Sequence, residues 1–162
     1  MRAETGRKAG LWVAALMLAA AGAAPAGATV GAGQPEGLVA VLEEAGFAAR
    51  LGRTRRGDPL IHAATPGALP FQIRFFGCRN GADCLSIQLV AGFAARGVEL
   101  ETVNGWNAAM RYGRVHLTEG GQPVLAYDLA FAPEGLPAPH VAEQFELWER
   151  LMEGMLGLLD AE

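Results

Sequence analysis

Nucleophilic catalysis needs a hydroxyl or thiol held beside a base, and this chain supplies few such groups. Ser86 is the only serine. It sits in an alternating run typical of a strand, not on a Gly-x-Ser-x-Gly turn, so serine-hydrolase chemistry is unsupported. The histidines, His62, His116 and His140, fall on two separate strand-like runs and a Pro-rich loop. No two share helical ligand spacing and none stands beside a Cys or carboxylate cluster, so neither a metal site nor a cofactor is predicted. Gly120-Gly121 joins two strand-like runs instead of leading into a helix, which argues against a phosphate loop. Glu99 and Glu101 point to different sides of a predicted helix and make a weak acid-base pair. No catalytic residue is assigned, and the expected protein is not an enzyme.

The segment from Asn104 to Arg114 differs from the rest in its density of amide, aromatic and guanidinium groups. Two readings stand side by side. Asn107 shares a helical face with Leu100, Val103 and Met110, so its amide would need partners and would fix the angle between a helix and a sheet. Alternatively the segment is a recognition surface in which Asn104, Trp106, Asn107, Arg111, Tyr112 and Arg114 contact a partner, since Trp, Tyr and Arg are favoured at interfaces.

Compartment decides how the cysteines read. Basic residues at Arg2, Arg7 and Lys8 precede an apolar stretch, Ala9 to Ala24, and a small-residue exit, Ala26-Gly27-Ala28. That is the pattern of a cleavable secretory signal over residues 1–28, and the mature protein is expected to be periplasmic or secreted with no membrane span. The residues after Ala28 carry 10 basic and 16 acidic groups, and no Lys occurs after position 8. Such a balance counts against nucleic acid or anionic lipid as the main partner, because phosphates demand clustered cations. In an oxidising compartment Cys78 and Cys84 tend to pair. They flank Asn80-Gly81, a strong hairpin-turn signal, and strand parity puts both on the more polar face. A structural disulfide is the main reading, with a metal or redox-active pair as the alternatives.

The elements that must position these groups follow from periodicity. Residues 29–35 are small and Gly-rich, a short flexible lead. Leu38, Val41 and Leu42 predict a helix over 36–45 that Gly46 ends. Strands follow at 47–53 and 59–64, joined by a tip bearing Arg53, Arg55 and Arg56, whose main reading is a solvated hairpin tip, with use by an acidic partner as the alternative. The cysteine hairpin alternates Phe71, Ile73 and Phe75 with Gln72 and Arg74, then Leu85, Ile87 and Leu89 with Ser86 and Gln88. A helix over 99–110 precedes another hairpin. There, pairing Thr118 with Val124 would set Arg114 across from Asp128. Val141, Phe145, Trp148, Leu151, Met152, Met155 and Leu159 make a long amphipathic helix, with core packing as its default role and a dimer contact as the alternative. The whole is an α+β domain with a largely antiparallel sheet, 36–160.

The motifs Phe75-Phe76-Gly77-Cys78 with Cys84 following, Val103-Asn104-Gly105-Trp106-Asn107, Arg111-Tyr112-Gly113-Arg114-Val115 and Tyr127-Asp128-Leu129 resemble the YbjN-domain family, a group labelled bacterial sensory transduction regulators. The resemblance spans roughly residues 36 to 159. It implies a fold similar to that of type III secretion chaperones and a part in stress or envelope-related regulation, and it carries over no catalytic residues. The expectation is an exported binding or regulatory module that engages a protein partner, or a second copy of itself. The competing expectation is a small-ligand binder or enzyme with a site on the polar sheet face, formed by Arg74, Gln88, Arg114, His116 and Asp128.

Overall fold

Period-two alternation puts Ile61, Ile73, Ile87, Leu89 and Leu125 on one side of their strands, and in the folded chain all five are fully buried there. The computed structural model describes residues 27–160. The expected leader lies outside the described residues except for Gly27 and Ala28. In chain order the elements are β1 (Thr29–Val30), α1 (Pro35–Glu44), β2 (Ala48–Arg53), β3 (Pro59–Ala64), β4 (Pro70–Phe76) and β5 (Ser86–Gly92). They continue with α2 (Leu100–Ala109), β6 (Arg114–Leu117), β7 (Pro123–Ala130), β8 (Leu136–Pro137) and α3 (Ala138–Asp160). Six strands form one antiparallel sheet in the order β2-β3-β4-β5-β7-β6, and β1 pairs with β8 in a separate two-stranded piece. This is the α+β architecture that the short turns and the changes of period predict.

One face of the large sheet carries the core. Leu38 and Leu42 of α1 and Val141, Phe145, Trp148, Met152 and Met155 of α3 are buried with the sheet residues. Phe71 stacks at 5.8 Å from Trp148 and at 6.1 Å, edge-on, from Phe47, which in turn lies 6.3 Å from Phe145. The apolar stripe of α3 is thus spent on the core. Proline at its first position starts α1, and Gly46, at φ +87°, ends it. The Phe47 N–H then closes back on the Leu42 carbonyl at 2.9 Å.

Three expectations need correction. Residues 29–35 are not a loose lead: Thr29–Val30 is a strand, Val30 and Ala32 are buried, and α1 already begins at Pro35. The buried face of α2 is Val103 with Trp106, whereas Leu100 and Met110 are exposed. The bulkiest apolar side chain, not the amide of Asn107, sets which way the helix rolls. The last hairpin is shifted by two residues. Thr118 N–H bonds the Gln122 carbonyl, so Arg114 pairs with Ala126 and stands diagonal to Asp128. A shift of two preserves parity, and the Arg114–Asp128 ion pair still forms on the same face.

Cys78 and Cys84 are joined in a disulfide across a two-residue turn. Asn80 and Gly81 both have positive φ, 52° and 72°, and Arg79 and Ala82 exchange both backbone hydrogen bonds, as a type I′ hairpin turn requires. Cys84 is buried in the core, contrary to its expected place on the polar face. Gly77 and Asp83, both at positive φ, flank the turn and take the chain out of strand alternation. For a ring this short the cross-link is worth about 2 kcal/mol. Replacing both cysteines with alanine should lower the urea-unfolding free energy by about that amount, and a reductant should then lower the midpoint of the wild type but not of the variant.

Candidate functional site

The Asn104–Arg114 segment forms the end of α2 and its junction with β6, the edge strand of the large sheet. An edge strand directs alternate backbone groups outward, where they template further pairing. Asn107 occupies one such pair: its Nδ2 donates to the Val115 carbonyl at 3.0 Å, and its Oδ1 accepts from the Val115 N–H at 2.8 Å. One side-chain amide therefore substitutes for a neighbouring strand. It locks α2 to β6 while Val115 itself is buried in the core. The structural reading of Asn107 is the one the geometry supports.

Trp106 is only 5% exposed, so it is no surface contact. Its ring lies against α3 at Gly154, where an added Cβ would sit 3.3 Å from Cη2. The indole N–H finds no acceptor among the described residues, a cost of about 1–3 kcal/mol that the ring's burial must outweigh. Arg114 is committed as well, since it pairs with Asp128. What the junction leaves to solvent is Asn104, Arg111 and Tyr112. Met110, 39% exposed, adjoins Arg111, and Leu100, 67% exposed, stands at the other end of α2; sequence reasoning placed both on the helix's apolar face. The missed signal was the Val103–Trp106 spacing, an i,i+3 pair large enough to claim the buried face by itself.

Tyr112, 48% exposed, meets Tyr127 edge-on at 6.4 Å. Tyr127 stands on the helix-covered face of β7, and its hydroxyl donates to Gln144 Oε1 of α3 at 2.6 Å. Burial, followed by the charge Tyr112 would carry, raises the Tyr127 pKa above the ordinary tyrosine value.

The polar face of the sheet holds the competing set. Arg74, Gln88 and Asp128 are successive cross-strand neighbours. Asp128 accepts from Gln88 Nε2 at 2.8 Å and also pairs with Arg114. His116 is not part of this group. It pairs with Val124, four residues from Asp128 along β7, or roughly 13 Å at strand rise. A depression of about 420 Å³ on this face is lined by His62, Gln72, Arg74, Val90 and Val124, and by neither His116 nor Asp128. The five residues proposed for a ligand site are thus divided between a charge cluster and a separate edge. His62, on β3, and His140, on the first turn of α3, stay apart from His116 and from each other. Among the described residues there is no group of three or more His, Cys, Asp or Glu that could hold a metal, and no helix long and apolar enough to cross a membrane.

The described residues form an antiparallel sheet with helices on one face, an amide-sealed edge and exposed apolar side chains near that edge. The chain belongs to the YbjN family, described as "Putative bacterial sensory transduction regulator", which matches residues 34–158. No curated protein and no solved structure matches it.

Two measurements test this geometry. Asn107→Ala should cost about 1–2 kcal/mol in unfolding free energy and speed hydrogen exchange at the Val115 amide. The raised pKa of Tyr127 means that its stabilising contribution is complete below about pH 10 and is lost as pH climbs past the folded value. Unfolding free energy should therefore fall above pH 10 in the wild type and fall less steeply in Tyr127→Phe. The late part of the tyrosinate absorbance titration should vanish in the same variant.

Proposed function

We propose that the chain is an exported, non-enzymatic regulatory module that acts through protein contacts in the cell envelope, with the α2–β6 junction as its contact surface. The observation that carries this reading is the clustering of apolar exposure. Of five large hydrophobic side chains exposed among the described residues, Met110 and Tyr112 lie two positions apart at this junction, while Leu100 stands at the far end of α2, about 15 Å away at helical rise. Arg111 stands between Met110 and Tyr112 in sequence, and aromatic, Met and Arg side chains together are the composition of interface centres. The leader pattern and the Cys78–Cys84 disulfide support an oxidising destination. Membership of a regulator family supports contact over catalysis. A second copy of the chain is one form the partner can take.

The test is capture from an osmotic-shock extract with tagged wild type and with Met110→Ser, Arg111→Ala and Tyr112→Ala combined. The triple variant should keep its circular dichroism and lose at least about tenfold of the captured partner, and the recovered wild type should lack residues 1–28. Trp106→Ala should instead fail by unfolding. Equal capture by the folded triple variant, or recovery of an intact chain from the cytosolic fraction, refutes the corresponding half of the proposal.

A further inference from the structure

The Arg-bearing tip between β2 and β3 gains a partner in the fold that its sequence position hides. Arg53 Nη1 donates to the Gly57 carbonyl at 2.6 Å and to the Gly81 carbonyl at 3.2 Å, tying the turn at 54–58 to the turn at 79–82. The contact is close enough that a Cβ on Gly81 would lie 2.7 Å from Gly57 O. The tip is ordered from within: Thr54 N–H bonds the Asp58 carbonyl at 2.9 Å, and Arg56 N–H bonds Thr54 Oγ1 at 3.3 Å. Four of the ten arginines that follow Ala28 thereby gather on two abutting turns.

Arg53 is spent on the joint, but Arg55, Arg56 and Arg79 are exposed, and none of them makes an ion pair among the described residues. Asp58 and Asp83 adjoin the two turns, and Glu36 and Glu134 line the depressions beside them, but none of these carboxylates makes an ion pair with an arginine among the described residues. Holding like charges together is unfavourable unless something anionic offsets it, and a guanidinium fork matches a carboxylate in two parallel hydrogen bonds. Phe76 and Leu85, two of the large exposed apolar side chains, adjoin this hairpin, with Leu85 N–H bonded to the Phe76 carbonyl at 2.9 Å.

We propose that the joined turns 54–58 and 79–82 bind a short acidic segment of a partner polypeptide, with Arg55, Arg56 and Arg79 meeting its carboxylates and Phe76 and Leu85 receiving an apolar neighbour. A narrow ligand fits better than an anionic bilayer. The domain as a whole is acidic, with Glu143, Glu146, Glu149 and Glu153 along α3, and a broad anionic plane would meet that repulsion where a peptide reaching only the tip would not. Screening confines the repulsion to about 8 Å in physiological salt. The 54–58 turn lies at the β2 edge and the 79–82 turn between the central strands β4 and β5, whereas the α2–β6 junction lies at the β6 edge, so the residues of the two surfaces do not overlap.

The probe is a fluorescent peptide of six glutamates around one central leucine, titrated by anisotropy against the full chain in its oxidised form. Binding should be saturable at low salt and lost in about 0.5 M NaCl. It should weaken at least about tenfold in Arg55→Ala/Arg56→Ala/Arg79→Ala, while the remote Arg150→Ala leaves it unchanged. Arg53 is kept so that the turns stay joined, and near-ultraviolet circular dichroism checks the fold. A Leu85→Ser variant should bind less tightly than wild type. Unchanged affinity in the triple variant, no binding at low salt, or preferential binding to vesicles of phosphatidylglycerol in phosphatidylcholine each overturns the proposal.

Discussion

Everything else in this molecule depends on covering one face of a six-stranded antiparallel sheet. Trp148 and Phe145 of α3 sit fully buried against Phe71 and Phe47, and the isoleucines and leucines of four strands meet them. Each fully buried side chain of this size contributes about 1.5–3 kcal/mol, against a chain entropy of comparable total. Because all three helices serve that side, the opposite face is left to Arg74, Gln88, Asp128 and Arg114. Their mutual hydrogen bonds and ion pair stand open to solvent. Exposed ion pairs of this kind add little stability. This face is the solvated side of the sheet.

A sheet that is not closed into a barrel has two edges and two ends, and the backbone groups there need partners. Asn107 provides one at β6 by presenting an amide to both polar groups of Val115. At the other side, Arg53 links two turns through their carbonyls, and the Cys78–Cys84 bond holds the second of those turns. The short β1–β8 pair anchors the beginning of the domain beside the start of α3. These are local devices of different chemistry with one purpose: they satisfy backbone groups without adding a strand.

The same devices determine what remains available for contact. Sealing β6 with α2 turns Val103 and Trp106 inward and leaves Leu100 and Met110 outward, Met110 next to Arg111 and Tyr112. Joining the two turns near β2 concentrates guanidinium groups on a domain that is acidic overall. An apolar-aromatic surface and a cationic one both arise from how the edges and turns of the sheet are closed.

Periodicity and turn chemistry made most of the fold legible in the sequence. β3 over 59–64, the Asn80-Gly81 turn, the Gly46 stop and the stripe of α3 are local patterns, since alternation of two or recurrence at three and four residues depends only on chain geometry. The motif around Asn104–Arg114 was visible too, but the division of labour inside it was not. Whether Trp106 or Asn107 takes the buried face depends on where Gly154 lies, 48 residues further along the chain. The two-residue shift that moves Arg114 diagonal to Asp128 conserves parity, so no pattern of alternation distinguishes it from the direct pairing. Composition alone determined that the chain is acidic and poor in catalytic groups. Only tertiary packing decided that Arg79 joins Arg53, Arg55 and Arg56, because the contact of the two turns brings together residues more than twenty positions apart along the chain.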